Sequence, residues 1–317
     1  MQFQFFTTAA NVLVLMAFAV PGFLFVKTKA LTDRHIPPFS KLLLYACQPC
    51  LQLYAFQTAD CTPELLGNMG WFFLFCTGVQ LLMILLMSLS LRLRLKDACR
   101  RVCAASGVFG NVGFLGIPLL QALLPEENVP SAIALAAAFS LSMNLIAWTG
   151  GLFLLTGERR HIRARALLLN PSMLSFFAAF PLFLLGIRLP DMALDGVTLM
   201  GRMCTPLCML ILGMRLACTP FRQIVTDRYA WQSCAGKLLL MPLLAFVSVM
   251  FLPLPAYFRA TLFLLSCCPT ASAVQSLSEI YLPEEAVGAK RTAADAILLS
   301  NLLCILTIPL LCTLLQG

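Results

Sequence analysis

Ten runs of about twenty apolar residues, joined by connections too short to fold alone, constrain this chain more than any other feature. A run of that length crosses a bilayer as one helix, because its backbone N–H and C=O groups must find partners within the segment. The runs fall at 5–26, 39–56, 70–90, 98–124, 131–155, 171–189, 197–216, 231–252, 258–280 and 294–315. They use about two thirds of the 317 residues, and the short connections between them leave no room for an extramembrane domain; 60% hydrophobic against 11% charged residues excludes a soluble protein. The expectation is an all-α polytopic membrane protein, 1–317, made of a single transmembrane domain.

Charge sets the topology. Lys27, Lys29, Arg34 and Lys41 precede the second run; Arg92, Arg94, Lys96, Arg100 and Arg101 the fourth; Arg159, Arg160, Arg163 and Arg165 the sixth; Arg215, Arg222 and Arg228 the eighth; Lys290 and Arg291 the tenth. Asp60 and Glu64 follow the second run, and Glu126 and Glu127 the fourth. The basic side is therefore cytoplasmic and both termini lie outside, an alternation that losing one run would destroy. The net charge of +8 reports this bias, since no aromatic residues interleave the basic ones as a nucleic-acid surface would require. The 14 cysteines sit mostly within apolar runs and read as small hydrophobes, Cys47 and Cys50 included, so neither a disulfide framework nor a metal site is expected. Met1-Gln-Phe-Gln-Phe5 has no basic residue before its apolar run, so the first span is read as retained rather than cleaved.

Two runs are interrupted. In Ser106-Gly-Val-Phe-Gly-Asn-Val-Gly-Phe-Leu-Gly-Ile-Pro118 four glycines and a proline disfavour a continuous helix, and Asn111 adds a polar side chain. Cys268-Pro-Thr-Ala-Ser-Ala-Val-Gln-Ser276 does the same in the ninth run. Irregular backbone at membrane depth is tolerated where it lines protein or a cavity, so both stretches mark a binding site. Ordered matches between the halves support an inverted repeat of five helices each, about 1–156 and about 166–317: Ala19-Val-Pro21 with Ala179-Phe-Pro181, Cys47-Gln-Pro49 with Cys204-Thr-Pro206, Pro118 with Pro269, and Ser142-Met-Asn144 with Ser300-Asn301. Helices four and nine then break at a crossover, where two half-helix N-termini can hold a carboxylate without a buried Lys or Arg.

Gly110-Asn-Val-Gly-Phe-Leu-Gly-Ile-Pro-Leu-Leu120 resembles the fourth-helix motif of the auxin efflux carrier family and its bacterial relatives, in the bile/arsenite/riboflavin transporter superfamily. Gln48-Pro-Cys-Leu51, Asn170-Pro171, Thr205-Pro-Leu-Cys-Met-Leu-Ile-Leu-Gly213 and Cys268-Pro-Thr-Ala271 follow in the family's order. The resemblance implies a scaffold and a moving domain, with Asn111, Pro118 and Pro269 beside the substrate. It also implies a bacterial inner-membrane secondary carrier of small organic anions, such as malate or malonate; plant members carry indole-3-acetate. The connection 156–170 is too short for the long regulatory loop of many plant carriers. Coupling stays open between a proton, sodium and none, and an interface between two scaffolds is implied by the resemblance alone.

The candidate substrate-binding residues are Gln48, Asn111, Gly113, Pro118, Asn144, Pro269, Thr270, Ser272 and Gln275. Glu279, Asp295 and Arg202 are candidates for coupling or gating, against the plainer readings of loop-edge carboxylates facing Lys290 and Arg291 and of an arginine snorkelling to the outer interface. Lys237 is read the same way, as shallow on the cytoplasmic side. A cation/proton antiporter ranks second because no acidic pair lies mid-membrane, and a channel is the other alternative. His35 and His161, the only histidines, fall in loops, so an enzyme is not expected and no cofactor is implied.

Overall fold

The computed structural model describes residues 5–92, 97–250 and 253–314. Arg94 and Lys96 of the basic side, and the expected span ends Leu252 and Leu315, lie outside the described residues. The first apolar run becomes α1 (Phe5–Ala17) and α2 (Ala19–Lys27). The second becomes α3 (Ile36–Leu42) and α4 (Gln48–Thr58) on either side of a π-turn, Leu43–Cys47. α5 (Pro63–Ser90) is uninterrupted and starts where the Thr62 hydroxyl accepts from the Leu65 amide at 3.1 Å. The fourth run splits into α6 (Ala98–Val108) and α7 (Ile117–Leu123), with a π-turn at Val112–Gly116 leading into α7. α8 (Val129–Ile146) passes through a π-turn, Ala147–Gly151, into α9 (Leu152–Thr156).

The second half opens with the short α10 (Ala164–Leu168), then α11 (Pro171–Leu184), capped by Asn170, which accepts from the Ser172 amide at 2.8 Å. α12 (Asp191–Arg202) and α13 (Cys204–Cys218) are nearly continuous, and α14 (Phe221–Thr226) connects them to α15 (Arg228–Ala235). A π-turn, Gly236–Leu240, joins α15 to α16 (Met241–Met250). α17 (Ala256–Ser266) and α18 (Ser272–Tyr281) are the halves of the ninth run, and α19 (Val287–Leu314) is the last helix.

Among the described residues, six helical stretches are long and apolar enough to cross a membrane: Phe5–Lys27, Pro63–Ser90, Glu126–Thr156, Asp191–Cys218, Arg228–Met250 and Val287–Thr313. Shorter apolar helices occupy Val112–Leu123, Pro171–Leu184 and Ala256–Ser266. The gap between six and the expected ten has physical causes. The fourth and ninth runs are broken in the middle, α11 ends in a turn that needs the positive φ of Gly186, and α4 carries Gln48, Gln52 and Gln57.

Two sets of close helix contacts stand out, joined where α1 packs on α19 and α4 on α8. In the first, α2 lies against α13 so closely that a Cβ on Gly22 would enter the Leu210 carbonyl and one on Gly213 the Ala19 carbonyl. α4 packs on α11 and α12, with Phe56 against Phe176 and Phe183 at 5.5 and 5.2 Å. In the second group α5 packs on α8, α6 on α15 and α19, and α16 on α17. On α5, Phe72, Cys76, Val79 and Met83 are buried at helical spacing while Trp71, Leu74, Leu81 and Leu85 are exposed, the pattern of a helix with one face to protein and one to lipid.

Several basic residues do more than mark topology. Lys27 donates to the Ala217 carbonyl at 3.1 Å, Arg100 to Leu91 at 2.9 Å and Arg101 to Leu155 at 2.9 Å. Each cation meets carbonyls at or near the C-terminus of a helix, where the last turn has no intrahelical donors left.

Candidate functional site

The two interrupted runs meet. Gly110 and Thr270 form an antiparallel bridge, in which the Asn111 amide donates to the Pro269 carbonyl at 2.7 Å and the Ala271 amide to the Phe109 carbonyl at 2.9 Å. Each broken backbone thus satisfies the other inside the protein. Two side chains secure the crossing: Thr270 Oγ1 donates to the Ser106 carbonyl at 2.9 Å, and the Ser300 hydroxyl of α19 accepts the Thr270 amide at 3.1 Å.

The crossing has two faces. α6 and α17 end there at their carbonyl termini, and α7 and α18 begin near it at their amide termini. Lys237, from the π-turn of the eighth run, lies at the carbonyl face. It is fully buried, and its ammonium donates to the Ser266 carbonyl, the last residue of α17, at 2.9 Å. Gly110 leaves the room it needs, since a Cβ there would stand 2.7 Å from Lys237 Cε and 2.9 Å from Nζ. No carboxylate pairs with this ammonium among the described residues. The shallow, snorkelling position expected for Lys237 is therefore corrected: it is fully buried, and its ammonium is bonded to a helix-end carbonyl.

The amide face is looser. Asn111 is buried, yet its amide nitrogen reaches no better acceptor than the Cys208 sulfur of α13, at 3.7 Å. A Cβ on Gly113 would meet nothing within 4 Å. Pro118 has no N–H for the Phe114 carbonyl one turn back, and that carbonyl accepts instead from Thr205 Oγ1 of α13 at 2.7 Å. Beside it lies a cavity of about 220 Å³. Leu15, Phe18, Leu51 and Ile117 form its apolar wall, while Tyr54, Gln121, Arg202 and Thr205 supply polar groups; Gln121 donates to the Tyr54 hydroxyl at 3.2 Å.

Of the residues named from sequence, Asn111, Pro269 and Thr270 meet at the crossing, with Gly113 and Ser272 at the first turns beyond it. Gly110 is the partner of the ninth-run break, and Pro118 sits inside α7, seven residues beyond Asn111, against the cavity with Arg202. Gln275 is held by the Arg215 guanidinium of α13 and donates to Glu279, itself exposed, at 2.7 Å. Gln48 donates to Ser172 at 2.5 Å between α4 and α11, and Asn144 bonds Ser140 and Asn170; none of these bonds touches the crossing. Asp295 is buried rather than at a loop edge, accepting from Gln223 at 2.9 Å and facing Arg291 at 3.4 Å, so of its two expected cations Arg291 is the one it meets.

From the sequence, Thr205 and Arg215 have no part in the site and Lys237 reads as a shallow charge. Lys237 carried a signal, being a charge well inside an apolar run; Arg215 was counted with a loop because it lies near the end of one. A family model described as a membrane transport protein matches residues 4–166 and again 161–312. No curated protein matches the chain.

Proposed function

The chain belongs to the auxin efflux carrier family and is an integral, multi-pass membrane transport protein; from that premise we propose that it is a secondary carrier moving a small organic anion by alternating access. The observation that carries this reading is the crossing at Gly110 and Thr270, which turns two amide-bearing half-helix starts toward one region while Lys237 occupies the carbonyl ends. A buried ammonium with no carboxylate in ion-pair distance among the described residues favours an anion over the cation of an antiporter.

We read the helices as ten crossings in a five-plus-five inverted repeat. α1–α4 and α11–α13 are the scaffold, and the group holding the crossing moves against it. With the basic side in the cytoplasm of a bacterial inner membrane, both termini are outside and the cavity beside Pro118 opens outward. Asn111 orients the carboxylate, with the first turns at Gly113 and Ser272 beside it.

Purified protein tested by thermal shift against mono- and dicarboxylates, with Asn111→Ala alongside, checks the assignment. Stabilisation by a carboxylate that Asn111→Ala abolishes is expected. Equal stabilisation of both proteins would place the anion elsewhere, and a response to sodium alone would make the carrier a cation transporter.

A further inference from the structure

One face of α13 makes the contacts with the crossing elements at three depths. Thr205 bonds the Phe114 carbonyl leading into α7, Cys208 meets Asn111, and Arg215 holds Gln275 of α18. Residues 205, 208 and 215 share one side of a helix by their spacing, so they form a stripe along a single wall. Arginines stand at both ends of it. Arg202 lines the cavity at one end, and Arg215 is half-buried at the other. Thirteen residues at 1.5 Å each separate them by roughly 20 Å, with Cys208 and Asn111 midway, inside a hydrocarbon core of about 30 Å.

Neither arginine has a carboxylate within ion-pair distance among the described residues. Arg202 has no hydrogen-bond partner there, and Arg215 has a neutral one, the Gln275 amide oxygen, whose amide nitrogen is in turn taken by Glu279. A guanidinium bonds a carboxylate more strongly than a neutral acceptor, because both partners are then charged, and often through two parallel bonds. An amide oxygen on a half-buried arginine thus occupies a place where an arriving carboxylate would bind better.

Resting on the carrier reading above, we propose that Arg202 and Arg215 are the outer and inner receptors of the transported carboxylate. Gln275 stands in for that carboxylate at Arg215 while the inner side is closed. In this state the outer cavity is open to Arg202 and the Arg215–Gln275 bond joins the scaffold to the crossing on the cytoplasmic side. An anion passing Asn111 reaches Arg215 and displaces the Gln275 oxygen, which frees α18 from α13. The two arginines therefore set affinity on opposite faces of the membrane.

Right-side-out and inside-out vesicles, with radiolabelled malate and benzoate as probes and rates normalised to folded protein, separate the two faces. Arg202→Gln is expected to raise KM at the outer face at least about tenfold, the loss of one charge-assisted contact, and to leave the inner face within about twofold. Arg215→Gln is expected to do the reverse, with Arg215→Lys in between. Gln275→Ala removes the stand-in and should lower the inner-face KM about threefold or more, an outcome a merely structural role would not give. Equal changes on both faces, no change on either, or a raised inner-face KM in Gln275→Ala would overturn the proposal while leaving the carrier reading intact. Wild-type vesicles that accumulate neither probe overturn the carrier reading, and this inference with it.

Discussion

The carbonyl face of the crossing is full, and the amide face is loosely filled. On one side a buried ammonium fills the space that Gly110 leaves and takes the end of α17. On the other, Gly113 faces no atom within 4 Å and Asn111 rests on a sulfur. Both faces are made of helix ends, which carry roughly half a unit of charge and unpaired backbone groups. They differ in that a fixed cation of the chain satisfies one, while on the other the buried Asn111 amide has only a sulfur to bond.

Substitutions can break that contrast. Lys237→Met should have the largest effect, cutting transport at least about tenfold, because the anion loses a cation in a medium where charge is weakly screened. The variant should still fold, at a cost of about 1–3 kcal/mol for leaving the Ser266 carbonyl without its donor. A Lys237→Met protein that transports normally in vesicles would remove the ammonium from the account. Gly110→Ala comes next: a methyl within 3 Å of the lysine head overpacks a closed site at a cost of about 1–3 kcal/mol, read as a lowered unfolding midpoint in detergent.

Thr205→Val strips the buried Phe114 carbonyl of its donor and should cost about 1 kcal/mol or somewhat more, again in the unfolding midpoint. Because that bond ties α13 to the turn leading into α7, transport should fall further than stability does. Smallest of all, Gly113→Ala should leave the midpoint unchanged and raise KM a few-fold, as the methyl enters the open space assigned to substrate. If Gly113→Ala destabilises as much as Gly110→Ala, the two faces are equally packed and the contrast is gone.

Much of this arrangement was legible in the residues. The glycine-rich stretch around Asn111 and the Cys268-Pro-Thr-Ala271 stretch announced two broken helices, because missing Cβ atoms and a missing N–H act locally. Their meeting at Asn111, Pro269 and Thr270 agrees with that reading. The register of their contact was not legible: the two stretches bridge at Gly110 and Thr270, where a side chain on Gly110 would collide with Lys237. Gln48 and Asn144 were named because they are polar at depth; Gln48 donates to Ser172 of α11, and Asn144 bonds Ser140 of its own helix and accepts from Asn170, away from the crossing.

What the amino-acid order determined by itself was the membrane, the helices and the places where they break. Those depend on apolar length, backbone hydrogen bonding and charge bias, all of which act over about twenty residues. Only the tertiary structure decided which charge sits where. Lys237 and Arg215 were read as a shallow charge and a loop charge because hydropathy measures distance from a segment's end, not what lies beside it. Their partners, Ser266 and Gln275, are 29 and 60 residues away and are brought near by the crossing of two helices.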